Sequence, residues 1–146
     1  MEGLESPRVY TIEQALEEVG VEALPGEKLQ VAVGDTVRVT ASIEYMGPAL
    51  DDTFRGAIGT RGFAGFDEIC VGQVAVHFNP SLTTFTPYTL TVDIPITSAI
   101  SPGTNYDLYV KLVNHPGAGT PEVDDVIDVL GAVTFRNFKI TGYNKV

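Results

Sequence analysis

The spacing of the apolar residues changes at Gly26, and no other feature constrains the fold of this chain as strongly. After Gly26, in "GDTVRVTASIEYMG", Val37, Val39, Ala41, Ile43 and Tyr45 occupy every second position, with Thr36, Arg38, Thr40, Ser42 and Glu44 between them. Successive side chains of an extended chain point to opposite faces. This spacing therefore predicts a strand with one face on a core and the other in water. Gly34-Asp35 and Gly47-Pro48 bracket it with turn residues. Before Gly26 the spacing is helical: Ile12, Ala15, Leu16 and Val19 follow a capping-box pair, Thr11 and Gln14, at one-face offsets. Residues 1–26 read as an arm with one short helix. Such a helix is marginal alone in water, so its apolar face needs a surface to pack on.

The alternation returns at short intervals. Phe54 to Ile58 is a predicted strand interrupted by glycine. Val74, Val76 and Phe78 end at Asn79-Pro80. Leu90, Val92, Ile94 and Ile96 follow, with Pro95 marking an edge or a bulge. In "SPGTNYDLYVKL", Tyr106, Leu108, Val110 and Leu112 alternate after a Pro-Gly turn, and Val126 to Leu130 and Val133 to Phe135 are further predicted strands. The last residues, 136–146, alternate through Phe138 and Ile140 and are either an extra strand or a tail. Seven to eight short strands separated by Gly/Pro turns predict an all-β chain. The expected architecture is a single immunoglobulin-like antiparallel β-sandwich over residues 27–135, preceded by the helical arm.

Composition narrows the function classes. The net charge is −10 and only nine residues are Lys or Arg, none of them clustered. Phosphate backbones and anionic membranes both require clustered positive charge, so neither is an expected partner. No apolar run approaches the ~18 residues of a membrane-spanning helix. The acidic first twenty residues lack the apolar centre of a secretory signal, so the expectation is that the protein either acts where it is made or leaves by a route without a cleaved signal, of which cell lysis is one. Cys70 is the single cysteine, which rules out an intramolecular disulfide and a cysteine-rich zinc site and reads as a small buried hydrophobe.

Two stretches carry a family resemblance. "SAISPGTNYDLYVKL" resembles the turn and penultimate strand of fibronectin type III and related immunoglobulin-like modules. "VAVGDTVRVTASIEYMG" is similar to the early strands of CARDB-type adhesion modules. The resemblance implies that Tyr106 forms a tyrosine corner, its ring in the core and its hydroxyl bonded to the chain a few residues upstream.

Catalytic patterns are missing from the sequence. His77 lies out of phase with Val76 and Phe78 and is expected to face solvent, while His115 sits in a turn. Neither has a metal-ligand or triad spacing around it. "GTRGFAG" lacks the Lys and following helix of a phosphate loop, and it reads as part of a long flexible insertion, "TRGFAGFDEICVG". No enzyme activity and no cofactor are expected. The acidic groups Asp51-Asp52 (in a turn), Asp67-Glu68 (in the insertion) and Asp124, Asp125 and Asp128 read as solvated carboxylates. A calcium site built from loops at one end of the sandwich is the alternative.

Exposed aromatics are the other candidates. Tyr109 points opposite to Tyr106 and is expected on the surface, and Phe63 and Phe66 sit among glycines in the insertion, either contacting a partner or plugging the end of the core. Together with Ile12, Leu16 and Val19 of the arm they form the predicted partner-binding set. The first expectation is a structural protein of a self-assembling particle: a bacteriophage virion component such as a capsid decoration protein, packing against copies of itself or a capsid lattice. A compact sandwich beginning at its own Met1, with an amphipathic arm and an extra C-terminal segment, suits that role. The alternative is a carbohydrate-binding or adhesion module at the cell surface or outside the cell. For that module Tyr, Asn and Asp on loops would make the contacts.

Overall fold

The computed structural model describes residues 27–146. The arm, with its predicted helix and Ile12, Leu16 and Val19, lies outside the described residues. Seven strands follow: β1 (Leu29–Val31), β2 (Thr36–Gly47), β3 (Leu50–Gly62), β4 (Gly65–Phe78), β5 (Ser81–Pro95), β6 (Gly103–Leu112) and β7 (Glu122–Val129). A single 3-10 turn, Pro116–Ala118, separates the last two. The described chain is thus all-β, as the alternating pattern predicts.

The strands form two sheets, one of five in the order β1-β7-β6-β3-β4 and one of two, β2-β5. All pairings are antiparallel except β1 with β7. Inward residues of the two sheets meet in two clusters. One holds Val37, Ile58, Cys70, Ile94, Ile96 and Ile127, and the other Phe54, Phe78, Leu90, Val92, Val110 and Leu112. Cys70 is buried, as expected of a small hydrophobe.

Glycine sets how closely the sheets approach. Gly56 and Gly72 face each other across β3 and β4. A Cβ on Gly72 would lie 1.9 Å from the carbonyl oxygen of Asp93 in β5, and one on Gly56 would lie 2.9 Å from Val92. The glycines that weaken β3 and β4 as sequence patterns are therefore what lets β4 and β5 touch, backbone against backbone.

Two expectations are corrected. "TRGFAGFDEICVG" is not a loop insertion: β3 and β4 continue through it, pairing Thr60 with Asp67, Arg61 with Phe66 and Gly62 with Gly65 around a turn of Phe63 and Ala64. Gly65 adopts φ 128°, a left-handed value that the tight turn requires. Asp51 and Asp52, expected in a turn, accordingly lie in β3, and Asp67 and Glu68 in β4. The second correction concerns Val133 to Phe135, which form no strand, and 130–146 carry none at all. Alternation supplies a strand's faces but not its hydrogen bonds, and no described strand lies beside this segment.

Candidate interaction surface

The sequence-predicted site residues separate into three environments. Phe63 stands at the tip of the β3–β4 hairpin with its ring entirely in solvent. Phe66, one step below the tip, is half-buried and packs its ring 4.4 Å from that of Tyr109, while the Arg61 guanidinium lies 5.7 Å from the Phe66 ring centre. Tyr109 departs from expectation: it is 7% exposed rather than on the surface. The outer face of the five-stranded sheet is covered at this point by the long hairpin, whose Phe66 and Glu68 close over β6. The Tyr109 hydroxyl donates to Glu68, and Glu68 also pairs with Arg55. Burial, together with the bond to Glu68, pushes the Tyr109 phenol up to about 12. The Arg55 hydrogen bond outweighs burial and holds Glu68 below its ordinary value. Tyr109 thus supports the hairpin from beneath, and the accessible aromatic is Phe63.

Tyr106, at the start of β6, packs against the core and its hydroxyl donates to the carbonyl of Ser101, five residues upstream, at 2.7 Å. His77 pairs with exposed Asp51 at 2.6 Å and His115 with Asp52 at 2.5 Å. Asp52 was not singled out from its neighbours in the sequence, yet its side chain is fully buried. It accepts from the backbone N–H of Thr53, the backbone N–H and side-chain amide of Asn114, and His115. Burial would raise its pKa, but these hydrogen bonds outweigh burial and lower it. The arrangement ties the 113–115 turn to β3, and its donors already occupy both carboxylate oxygens.

Asp107, Glu122 and Asp124 bring three carboxylates within 4.8 Å of one another. Asp107 is buried, and its two oxygens accept from the backbone N–H groups of Arg61 and Asp125. It therefore pins β3 to an irregularity in β7, where Asp125 takes φ 59°. Glu122 pairs with Arg61. Asp124 is exposed, and its neighbours Glu122, Asp107 and Asp125 help push it up to about 6. Asp128, also in β7, accepts from Lys28 and from the Asn105 backbone. Asp107, Glu122 and Asp128 thus each hold a structural partner, and Asp124 shares a hydrogen bond with Glu122.

A further run of exposed apolar side chains lies where the sequence predicts no partner residue. Beyond Leu130, whose N–H donates to Val31, the chain runs on through Val133, Phe135, Phe138, Ile140, Tyr143 and Val146, all exposed. By the strand register, Gly103 of β6 faces Val129 while β3 runs antiparallel to β6 toward its Gly62 end. The Phe63 tip and the start of the C-terminal segment therefore share one end of the five-stranded sheet.

No family model, curated protein or solved structure matches this chain. Among the described residues no helix is long and apolar enough to cross a membrane.

Proposed function

We propose that the chain is a non-enzymatic structural protein of a self-assembling particle, in the form of a bacteriophage virion component such as a capsid decoration protein. The scaffold we infer is an immunoglobulin-like sandwich. The order β7-β6-β3-β4 opposite β2-β5 corresponds to strands G, F, C and C′ opposite B and E of that fold, and Tyr106 stands near the start of F as a tyrosine corner does.

The observation that carries the reading is the apolar surface left in water. Phe63, Phe135 and Phe138 are each more than four-fifths exposed, on a chain of net charge −10 whose Tyr45, Phe78 and Tyr88 pack their rings against one another. Apolar side chains held away from the core of a rigid body bury area only against a neighbour. The carbohydrate-binding alternative is weakened because Tyr109, a tyrosine expected on the surface and so open to a sugar, lies beneath Phe66 and against Glu68. Light scattering after size exclusion, with electron microscopy of the same sample, tests the assembly reading. Discrete oligomers or ordered particles are expected. A monomer at every concentration up to the solubility limit would refute self-assembly of this chain and leave a decoration protein that packs on a lattice of other subunits or a ligand-binding module.

A further inference from the structure

Resting on the assembly reading and naming its contact, we propose that residues 131–146 are an exchanged arm, added as a strand along the free edge of β2 in a second copy of this chain. Four observations converge on this.

The first is exposure. Val133, Phe135, Phe138 and Ile140 are exposed at 82%, 88%, 101% and 83% of their reference areas. Beyond Leu130 the segment makes no hydrogen bond, ion pair or ring contact with the described residues.

The second is that the segment has the shape of a bulged strand. Val133 and Phe135 share one phase of the alternation and Phe138 and Ile140 the other, so a flat strand would split them between two faces. One extra residue between 135 and 138 would restore a single face, and a β-bulge supplies it. Asn137, in that gap, has φ 60°. Among the described residues the other two with positive φ besides glycine are Asn105 and Asp125, and each sits at a register irregularity between β6 and β7. The chain thus uses Asn or Asp in the left-handed region where its strands bulge, and the third instance falls at the phase slip of the arm.

The third is charge. Three of the nine basic residues, Arg136, Lys139 and Lys145, lie in 131–146, which has no acidic residue. All 19 carboxylates and the other six basic residues belong to the rest of the chain, leaving it at 6 − 19 = −13 against +3 on the arm. Within the body, Lys28, Arg38, Arg55 and Arg61 are already paired with carboxylates. A basic apolar strand and an acidic body are complementary, and a second copy presents that body.

The fourth is the acceptor. Among the described residues β2 pairs only with β5, leaving twelve residues of open edge. Its inward row, Val39, Ala41, Ile43 and Tyr45, is only half-buried. An added strand there would complete the hydrogen-bond ladder and cover that row with the arm's four apolar side chains. The free edge of β5 is a poorer acceptor, because β4 closes on it where Gly72 meets Asp93. β1 is only three residues long.

The test compares the full chain with a chain ending at Leu130 and with a Phe135→Asp/Phe138→Asp variant. The readouts are light scattering over a concentration series and hydrogen exchange at β2. Ending at Leu130 removes no hydrogen bond of the folded body, and an unchanged thermal melt verifies that. The expected result is that the full chain assembles while both variants need at least tenfold higher concentration. In the assembled full chain the outer-edge amides of β2 should also exchange at least tenfold more slowly than in the truncated chain. If the truncated chain assembles as readily as the full chain, the exchanged arm is wrong and the assembly reading stands. A monomeric full chain with protected β2 amides would show the arm folded onto its own copy and would overturn the exchange. A monomer with unprotected β2 amides would overturn both.

Discussion

Replacing Asp52 with Ala should be among the most damaging single changes to this fold, although the residue lies on no surface a partner could reach. Its carboxylate accepts from Thr53 N at 2.6 Å, from Asn114 N at 3.0 Å and Nδ2 at 3.1 Å, and from His115 Nδ1 at 2.5 Å. Alanine leaves two backbone N–H groups without an acceptor. Each costs about 1–3 kcal/mol when buried. The His115 side chain is 47% exposed, so water recovers part of that loss, and the expected cost is about 2–4 kcal/mol. In urea this moves the unfolding midpoint down by roughly 1–3 M.

Asp52→Asn separates hydrogen bonding from charge. Its amide oxygen can keep the three bonds to Thr53 and Asn114, and its N–H can face a His115 Nδ1 that carries no proton. The loss is then under about 1 kcal/mol. The folded pKa of Asp52 is depressed. Its charge therefore contributes stability in full above the unfolded value of about 4 and loses it as the pH falls through the folded value. The margin of the wild type over Asp52→Asn should shrink in acid. A midpoint shift below about 0.5 M for Asp52→Ala would refute the view that this carboxylate holds the turn to β3.

Other changes test the packing and the local electrostatics. Gly72→Ala should cost at least about 1–3 kcal/mol by forcing β4 from β5, whereas Gly117→Ala, with nothing within 4 Å of the added carbon, should leave the urea midpoint unchanged. Tyr106→Phe removes the bond to Ser101 and should cost about 0.5–1.5 kcal/mol in the same assay, and an unchanged midpoint would deny that bond a role in stability. Asp124, whose pKa is raised to about 6, makes the fold lose stability as pH rises from about 4 to about 6, because the unfolded chain releases that proton first. Asp124→Asn should therefore be more stable than wild type at pH 7 and equal to it below about pH 4. A melting series across that range that shows no such divergence would contradict it.

The sequence by itself determined the all-β class and, for the strands with unbroken alternation, where they lie and which way their faces point. The period of two in 36–45 and 106–112 arises from the extended backbone alone, and β2 and β6 stand where it places them. It also marked the position of Tyr106, because the Pro-Gly turn and the tyrosine lie within a few residues of each other. Everything that depends on a partner distant in sequence was decided by the tertiary structure. Tyr109 is outward by phase yet buried, because a hairpin more than forty residues away covers its face. "TRGFAGFDEICVG" has the composition of a loop and becomes two paired strands once each half supplies the other's hydrogen bonds. Asp52 and Asp107 look like any acidic residues until Asn114, Arg61 and Asp125 are brought to them. In 131–146 the apolar residues alternate in two runs that slip phase between Phe135 and Phe138, and no strand forms there, because a strand also needs an edge to pair with and no described strand pairs with this segment.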